Sequence, residues 1–147
     1  MNVLRILFLF SSAIVHGQYA GWSSFYSYDQ ITGVVGAKNE LVYGLAENSL
    51  FSYDPAANEV VPITTVNGLL GDNVNIITTS NNYMMVGYQN GILGFHNLTD
   101  GSAVLDNSIE RNITIPGNNK AINSFLLKNK TLYISANYGI SSYDICL

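Results

Sequence analysis

The side chains best suited to bind something are two tyrosines and two asparagines in or beside predicted turns, namely Tyr88, Asn90, Asn137 and Tyr138. An aromatic ring next to an amide suits stacking on a sugar ring or gripping a partner protein. The other interpretation is that these rings pack between neighbouring parts of the fold, because tyrosine occurs 10 times along the chain. The four residues are therefore candidate contacts with a ligand or partner, and packing within the fold is the alternative interpretation.

Catalytic and metal-binding patterns are missing from the sequence. His96 has no second His or Cys at zinc-ligand spacing, and we expect it to be a solvated turn residue. Asp72, Asn73, Asn75 and Asp100 are oxygen-rich, but a calcium loop needs ordered carboxylates and a closing Glu, so turn chemistry explains them better. The acids are scattered among turns and supply no pair for glycoside hydrolysis. We expect a protein that is not an enzyme and uses no cofactor or metal.

Four further residues carry weaker signals. Asn97, Asn112 and Asn129 each begin an N-glycosylation sequon, which matters only in a eukaryotic secretory route. Cys146 is the single cysteine, so it cannot form an internal disulfide. Without a nearby base it is not predicted to be a nucleophile.

A pattern that occurs three times sets the architecture. Each copy reads as a strand, a tight polar turn and a second strand closing on an aromatic residue, at residues 41–54, 84–96 and 132–144. The equivalent turn residues Ser49, Gly91 and Gly139 are 42 and 48 residues apart. A period in the forties with paired strands inside it is typical of a β-propeller blade. The predicted fold is all-β, a partial β-propeller of four-stranded antiparallel blades.

The strand pattern predicts about two and three-quarter blades. The first blade spans residues 31–65, the second spans 74 to about 115, and a partial third begins at residue 121. The fourth strand of the second blade falls either in residues 103–106 or in residues 111–115. Because a propeller needs roughly four to eight blades to close, we interpret the chain as a fragment, with self-association as the alternative. We expect Ile122, Phe125 and Leu127 to be partly uncovered.

The first 17 residues have the pattern of a secretory signal peptide. Arg5 supplies a positive charge, residues 6–15 are a short apolar stretch, and Gly17 closes a small-residue cleavage pattern. A membrane span needs about 18 apolar residues, whereas this stretch has ten positions, two of them serines. We expect cleavage before Gln18, export, and one domain of residues 18–147.

Charge excludes one class of partner. The chain has 6 Lys and Arg against 10 Asp and Glu, a net charge of −4, and no basic cluster. Nucleic-acid phosphates require a basic surface, so nucleic acid is not an expected partner.

Several ordered motifs resemble a known family. Residues 22–28, 46–54, 64–69 and 86–92 are similar to the N-terminal β-propeller of PorZ, a component of the type IX secretion system of Bacteroidetes. The resemblance implies a non-enzymatic role in the cell-surface sortase complex, which removes sorting domains from cargo and attaches the cargo to anionic lipopolysaccharide. It therefore implies protein partners of that complex, lipopolysaccharide or another glycan as a further ligand, and a location in the periplasm or at the outer-membrane surface.

A second resemblance keeps an alternative open. Asn67-Gly68-Leu69 and Gly91-Ile92 also resemble the periplasmic sensor propellers of two-component regulators, which would make the chain a ligand sensor. Those propellers carry a Trp-Ile-Gly-Thr run where this chain has residues 85–88, which favours the PorZ-like interpretation.

Overall fold

The computed structural model describes residues 30–38, 40–47 and 49–145, and these form three antiparallel sheets. Blade 1 consists of β1 (Ile31–Gly36), β2 (Val42–Ala46), β3 (Ser49–Asp54) and β4 (Glu59–Ile63). Blade 2 consists of β5 (Val74–Ser80), β6 (Tyr83–Tyr88), β7 (Leu93–Asn97) and β8 (Ala103–Asp106). Blade 3 has three strands, β9 (Ile122–Lys128), β10 (Thr131–Ala136) and β11 (Gly139–Asp144). The predicted partial propeller is confirmed.

The first strands of the three blades, β1, β5 and β9, lie side by side. The Thr79 hydroxyl donates to the Gly36 carbonyl at 2.6 Å, and the Asn75 amide donates to the Ile122 carbonyl at 2.7 Å. Each bond joins one blade to the next, because a polar side chain of β5 reaches the backbone of β1 or β9. These first strands, β1, β5 and β9, are the inner strands of their blades.

The structure shows where the fourth strand of blade 2 lies and what connects it to blade 3. The fourth strand of blade 2 is Ala103–Asp106 and not residues 111–115. One turn of helix, α1 (Ser108–Arg111), and a 3-10 turn (Gly117–Asn119) follow it before β9 begins. The segment between β8 and β9 therefore holds a short helical insertion.

Each inner strand carries one extra residue at its start. The register of β1 with β2, of β5 with β6 and of β9 with β10 shifts by one residue, leaving Thr32, Asn75 and Asn123 outside the regular pairing. A bulge of this kind changes which way the preceding side chain points. In blade 3 it turns Ile122 to the same face as Phe125 and Leu127.

Two apolar cores lie between the blades. The core between blades 1 and 2 contains buried Tyr43, Leu45, Leu50, Val74, Ile77, Met84, Val86 and Tyr88. The core between blades 2 and 3 contains buried Met85, Leu93, Phe95, Ile122, Leu132 and Ile134. Burying one such aliphatic side chain contributes about 1.5–3 kcal/mol, so contacts between sheets stabilise the stack.

The prediction that Ile122 is partly uncovered is wrong, because Ile122 is fully buried. Phe125 and Leu127 are partly buried, as predicted, and pack against the core shared with blade 2. Leu126 and Ile140 are exposed instead, at 62% and 78%. Alternation shows that a strand has two faces, but only the register and the Asn123 bulge decide which face meets the neighbour.

Three features fall outside the described residues. They are the predicted signal peptide at residues 1–17, the aromatic segment at residues 22–28, and Cys146.

Candidate interaction surface

A groove between blades 2 and 3 is made of two clefts that share Tyr143 as a lining residue. One cleft of about 420 Å³ is lined by Tyr83, Phe95, Asn97, Ser102, Val104, Tyr143, Asp144 and Ile145. A second cleft of about 300 Å³ is lined by Leu93, Ile109, Ile115, Ile134, Tyr138 and Tyr143, with Asp106, Ser108, Asn112, Ser141 and Ser142 supplying polar groups. Apolar walls with a few polar groups are typical of binding sites.

Tyr143 stands between the two clefts. Its ring stacks on Phe95, with the ring centroids 5.6 Å apart and the planes inclined by 28°. Partial burial raises the pKa of Tyr143, and the neighbouring Asp106 carboxylate raises it further. The phenol therefore stays protonated at neutral pH and can donate a hydrogen bond.

The polar groups of the groove are held by local hydrogen bonds. Asp106 accepts from the backbone N–H of Ser108 at 2.9 Å and from its hydroxyl at 3.1 Å. Asp144 accepts from the Thr131 hydroxyl at 3.1 Å. Asp106 lines the second cleft and Asp144 lines the first, so the groove has an acidic rim.

Tyr138 lies in this groove. It is half-buried, and its hydroxyl is 2.6 Å from the Ser141 hydroxyl. It packs against the core between blades 2 and 3 while lining the second cleft. This candidate residue is placed where it can touch a ligand.

Tyr88 lies in the core and not in an open turn. Its ring is fully buried, and its hydroxyl accepts from the backbone N–H of Leu70 at 3.2 Å. Burial raises the pKa of Tyr88 to about 12. Its register equivalents are Ala46 and Ala136, because all three pair with the first residue of an inner strand. Tyr88 and Tyr138 are therefore not equivalent, and for Tyr88 the geometry matches the packing interpretation.

The two asparagines are both exposed but have different surroundings. The Asn90 carbonyl oxygen accepts from the backbone N–H of Ile92 at 3.2 Å, an ordinary turn contact. Asn137 belongs to a chain of amides: Asn75 donates to Asn123 at 3.3 Å, and Asn123 donates to Asn137 at 2.7 Å. Asn137 in turn donates to the Asn118 carbonyl at 3.4 Å.

This amide chain includes residues that sequence reasoning missed. Sequence patterns assign Asn75 to turn chemistry rather than to a calcium loop, and they do not single out Asn123. The signal was present, because both follow the first apolar residue of an inner strand, in Val74-Asn75 and Ile122-Asn123. The amide chain links blade 2 to blade 3. It leaves the side-chain carbonyl oxygen of Asn75 able to accept a further hydrogen bond.

The prediction for His96 is wrong. His96 belongs to β7, opposite Met84 of β6, and is 8% exposed, in the packing between blades 1 and 2. Its Nε2 is buried and has no hydrogen-bond partner among the described residues. Burial lowers the pKa of His96, because the protonated ring would lose its hydration.

Searches for two other kinds of site were negative within the described residues. No group of three or more His, Cys, Asp or Glu side chains is placed to hold a metal ion. No helix in this part of the chain has the length and apolar character needed to cross a membrane.

Three antiparallel sheets, two of four strands and one of three among the described residues, have their first strands side by side and define the chain as a β-propeller by class. Solved structures agree. The extracellular domain of the hybrid two-component system BT4673 from B. thetaiotaomicron has a TM-score of 0.58 at 16% identity, over 80% of this chain and 15% of that one. Sqt1 of Saccharomyces cerevisiae has a TM-score of 0.57 at 15% identity, over 80% of this chain and 31% of that one. The designed protein Ika8 has a TM-score of 0.53 at 18% identity, over 78% and 33% of the two chains.

These structural likenesses show the fold alone, and the chain spans no more than a third of the length of those three proteins. The comparison with curated proteins finds no match. The family model described as the N-terminal β-propeller domain of PorZ, of the type IX secretion system, matches residues 42–146. The chain belongs to this family, and the resemblance seen in the sequence is confirmed.

Proposed function

We propose that the chain is a non-enzymatic interaction module of a type IX secretion apparatus. It is exported by its signal peptide to the periplasm or outer-membrane surface, where it binds protein partners of a sortase complex. The observation that carries this proposal is the match to the PorZ N-terminal propeller over residues 42–146. The aromatic groove with its acidic rim supports it, because aromatic side chains in pockets are the usual anchors of protein interfaces.

Recovery of defined partners tests the proposal. The tagged protein is captured from outer-membrane extracts of a Bacteroidetes host, and co-purifying proteins are identified by mass spectrometry. We expect sortase-complex components to be enriched over a capture with an unrelated β-propeller. Capture of the Tyr143→Ala variant should lose enrichment if the groove takes part. An extract in which no sortase component is enriched contradicts the proposal.

Lipopolysaccharide or another glycan is the second ligand class within this role. The observation that favours it is Tyr138 and Tyr143 beside hydroxyl and amide groups in one cleft. Titration of purified lipopolysaccharide, followed by tyrosine fluorescence, measures this binding directly. Saturable glycan binding without any sortase partner would instead favour the alternative, a ligand-sensing propeller of a two-component regulator.

A further inference from the structure

The first cleft of the groove, with a volume of about 420 Å³, combines aromatic rings with a carboxylate. Tyr83, Phe95 and Tyr143 contribute the rings, and Tyr83 and Tyr143 are only partly buried. Asp144 is the one charged residue among the described residues that line the cleft. The described lining therefore offers aromatic faces and negative charge without any positive charge.

The carboxylate of Asp144 stands at the rim of this cleft. Its Oδ1 accepts a hydrogen bond from the Thr131 hydroxyl at 3.1 Å, and the residue is exposed. Asp144 has no ion-pair partner within the described part of the chain. Its negative charge is therefore oriented by the fold and available to a ligand.

A related cleft of about 300 Å³ lies between blades 1 and 2, where the later blade has all four strands. Strand pairing makes four of its lining residues equivalent to four of the first cleft, namely Leu41 to Tyr83, His96 to Tyr143, Asn97 to Asp144 and Leu98 to Ile145. None of residues 103–106 of β8, all of them described, lines the related cleft. A fourth strand on the later blade therefore does not fill a cleft of this kind.

The related cleft has the position of the first cleft but not its chemistry. A leucine replaces the ring of Tyr83, and the amide of Asn97 replaces the carboxylate of Asp144. No carboxylate is among the described residues that line the related cleft. The pairing of exposed ring faces with a carboxylate is therefore a property of the gap between blades 2 and 3.

We propose that the first cleft binds an organic ammonium group. The negative faces of the Tyr83 and Tyr143 rings attract the cation, Val104 contacts its alkyl carbons, and Asp144 balances its charge. A metal ion suits this site less well, because it would require several oxygen ligands. The ammonium group belongs either to a small quaternary ammonium compound or to a lysine side chain of a polypeptide. This inference goes beyond the proposed secretion role and does not depend on it.

Saturation-transfer NMR tests the class of ligand. Choline is titrated against the full chain, and the effect on its N-methyl protons should reach saturation. The matched compound is the neutral isostere of choline, in which a tert-butyl group replaces the trimethylammonium group. It should bind about tenfold more weakly, because it keeps the shape but loses the attraction to the rings and to the carboxylate. Absence of saturable choline binding, or equal binding of the neutral compound, overturns the proposal.

Competition distinguishes the two sources of the ammonium group. A lysine blocked at both its α-amino and its carboxyl group is added to the choline complex. Displacement as effective as that by unlabelled choline assigns the cleft to lysine side chains, whereas weaker displacement assigns it to quaternary ammonium compounds. Both results support binding of an organic ammonium group.

Two substitutions test the position of the site. Asp144→Asn and Tyr83→Leu each introduce the residue found in the related cleft, and each should weaken choline binding about threefold. Asp54→Asn is the control, because it makes the same charge change at the equivalent end of β3, outside both clefts, and should leave binding unchanged. Circular dichroism verifies that all three variants are folded. Wild-type affinity in the first two variants, or an equal loss in the control, overturns the proposal.

Discussion

At the residue scale, the buried histidine makes the stability of the fold depend on pH. His96 packs between blades 1 and 2, its Nε2 has no hydrogen-bond partner in the described part of the chain, and burial holds its pKa below the usual 6.5. Below pH 6.5 the unfolded chain binds a proton on His96 more readily than the folded chain does. The free energy of unfolding is therefore not reduced by this group above pH 6.5, and it decreases as the pH falls below that value. The loss can grow by at most about 1.4 kcal/mol per pH unit.

We therefore expect the urea midpoint of the wild-type chain to fall between pH 7 and pH 5 more than that of His96→Phe. The variant keeps a ring of similar size but cannot be protonated, and carboxylates that titrate at lower pH affect both proteins alike. Equal losses in the two proteins would show that His96 does not carry the pH dependence.

At the element scale, one glycine determines how closely blades 2 and 3 approach. A Cβ at Gly87 of β6 would lie 2.7 Å from the Cγ2 atoms of Ile76 and Ile122 and 2.9 Å from the ring of Phe125. Isoleucine is branched at Cβ and cannot move that methyl group without changing χ1. Gly87→Ala should therefore destabilise the chain by about 1–3 kcal/mol in urea unfolding, as overpacking of cores does.

Gly36→Ala is the matched control for this change. Gly36 is the last residue of β1, whereas Gly87 is the last but one of β6, and nothing lies within 4 Å of a Cβ added at Gly36, so the substitution should be neutral or slightly stabilising. A Gly87→Ala chain as stable as Gly36→Ala would mean that the blades can separate without cost.

The strands themselves were predictable, whereas the side-chain environments were not. Alternation and turn residues place ten of the eleven described strands close to where they lie, including Thr131–Ala136, Gly139–Asp144 and Tyr83–Tyr88, but leave the fourth strand of blade 2 between two segments. The burial of Tyr88 was not decided, because the position is occupied by alanine in the other two blades. The amide chain through Asn123 was missed, since its partners are brought together only by the stacking of separate sheets.

At the scale of the whole molecule, no other described element packs on one face of blade 3. Tyr133 and Ile140 of that face are 39% and 78% exposed. Their register equivalents in blade 1, Tyr43 and Leu50, are 5% and 1% exposed because blade 2 covers them. Leu126, paired directly with Tyr133, extends the apolar face. Contiguous apolar surface of this kind drives association.

We expect the chain to self-associate through this face. The combined variant Leu126→Thr, Tyr133→Thr and Ile140→Thr keeps strand-favouring residues and should shift sedimentation from oligomers towards monomer, with unchanged circular dichroism. The control replaces exposed apolar residues elsewhere, Val60→Thr with Val66→Thr, and should sediment like the wild type, since a loss of scattered surface valines leaves the face intact. A monodisperse wild-type monomer, or an equal effect of the control, would show that this face is not what holds copies together.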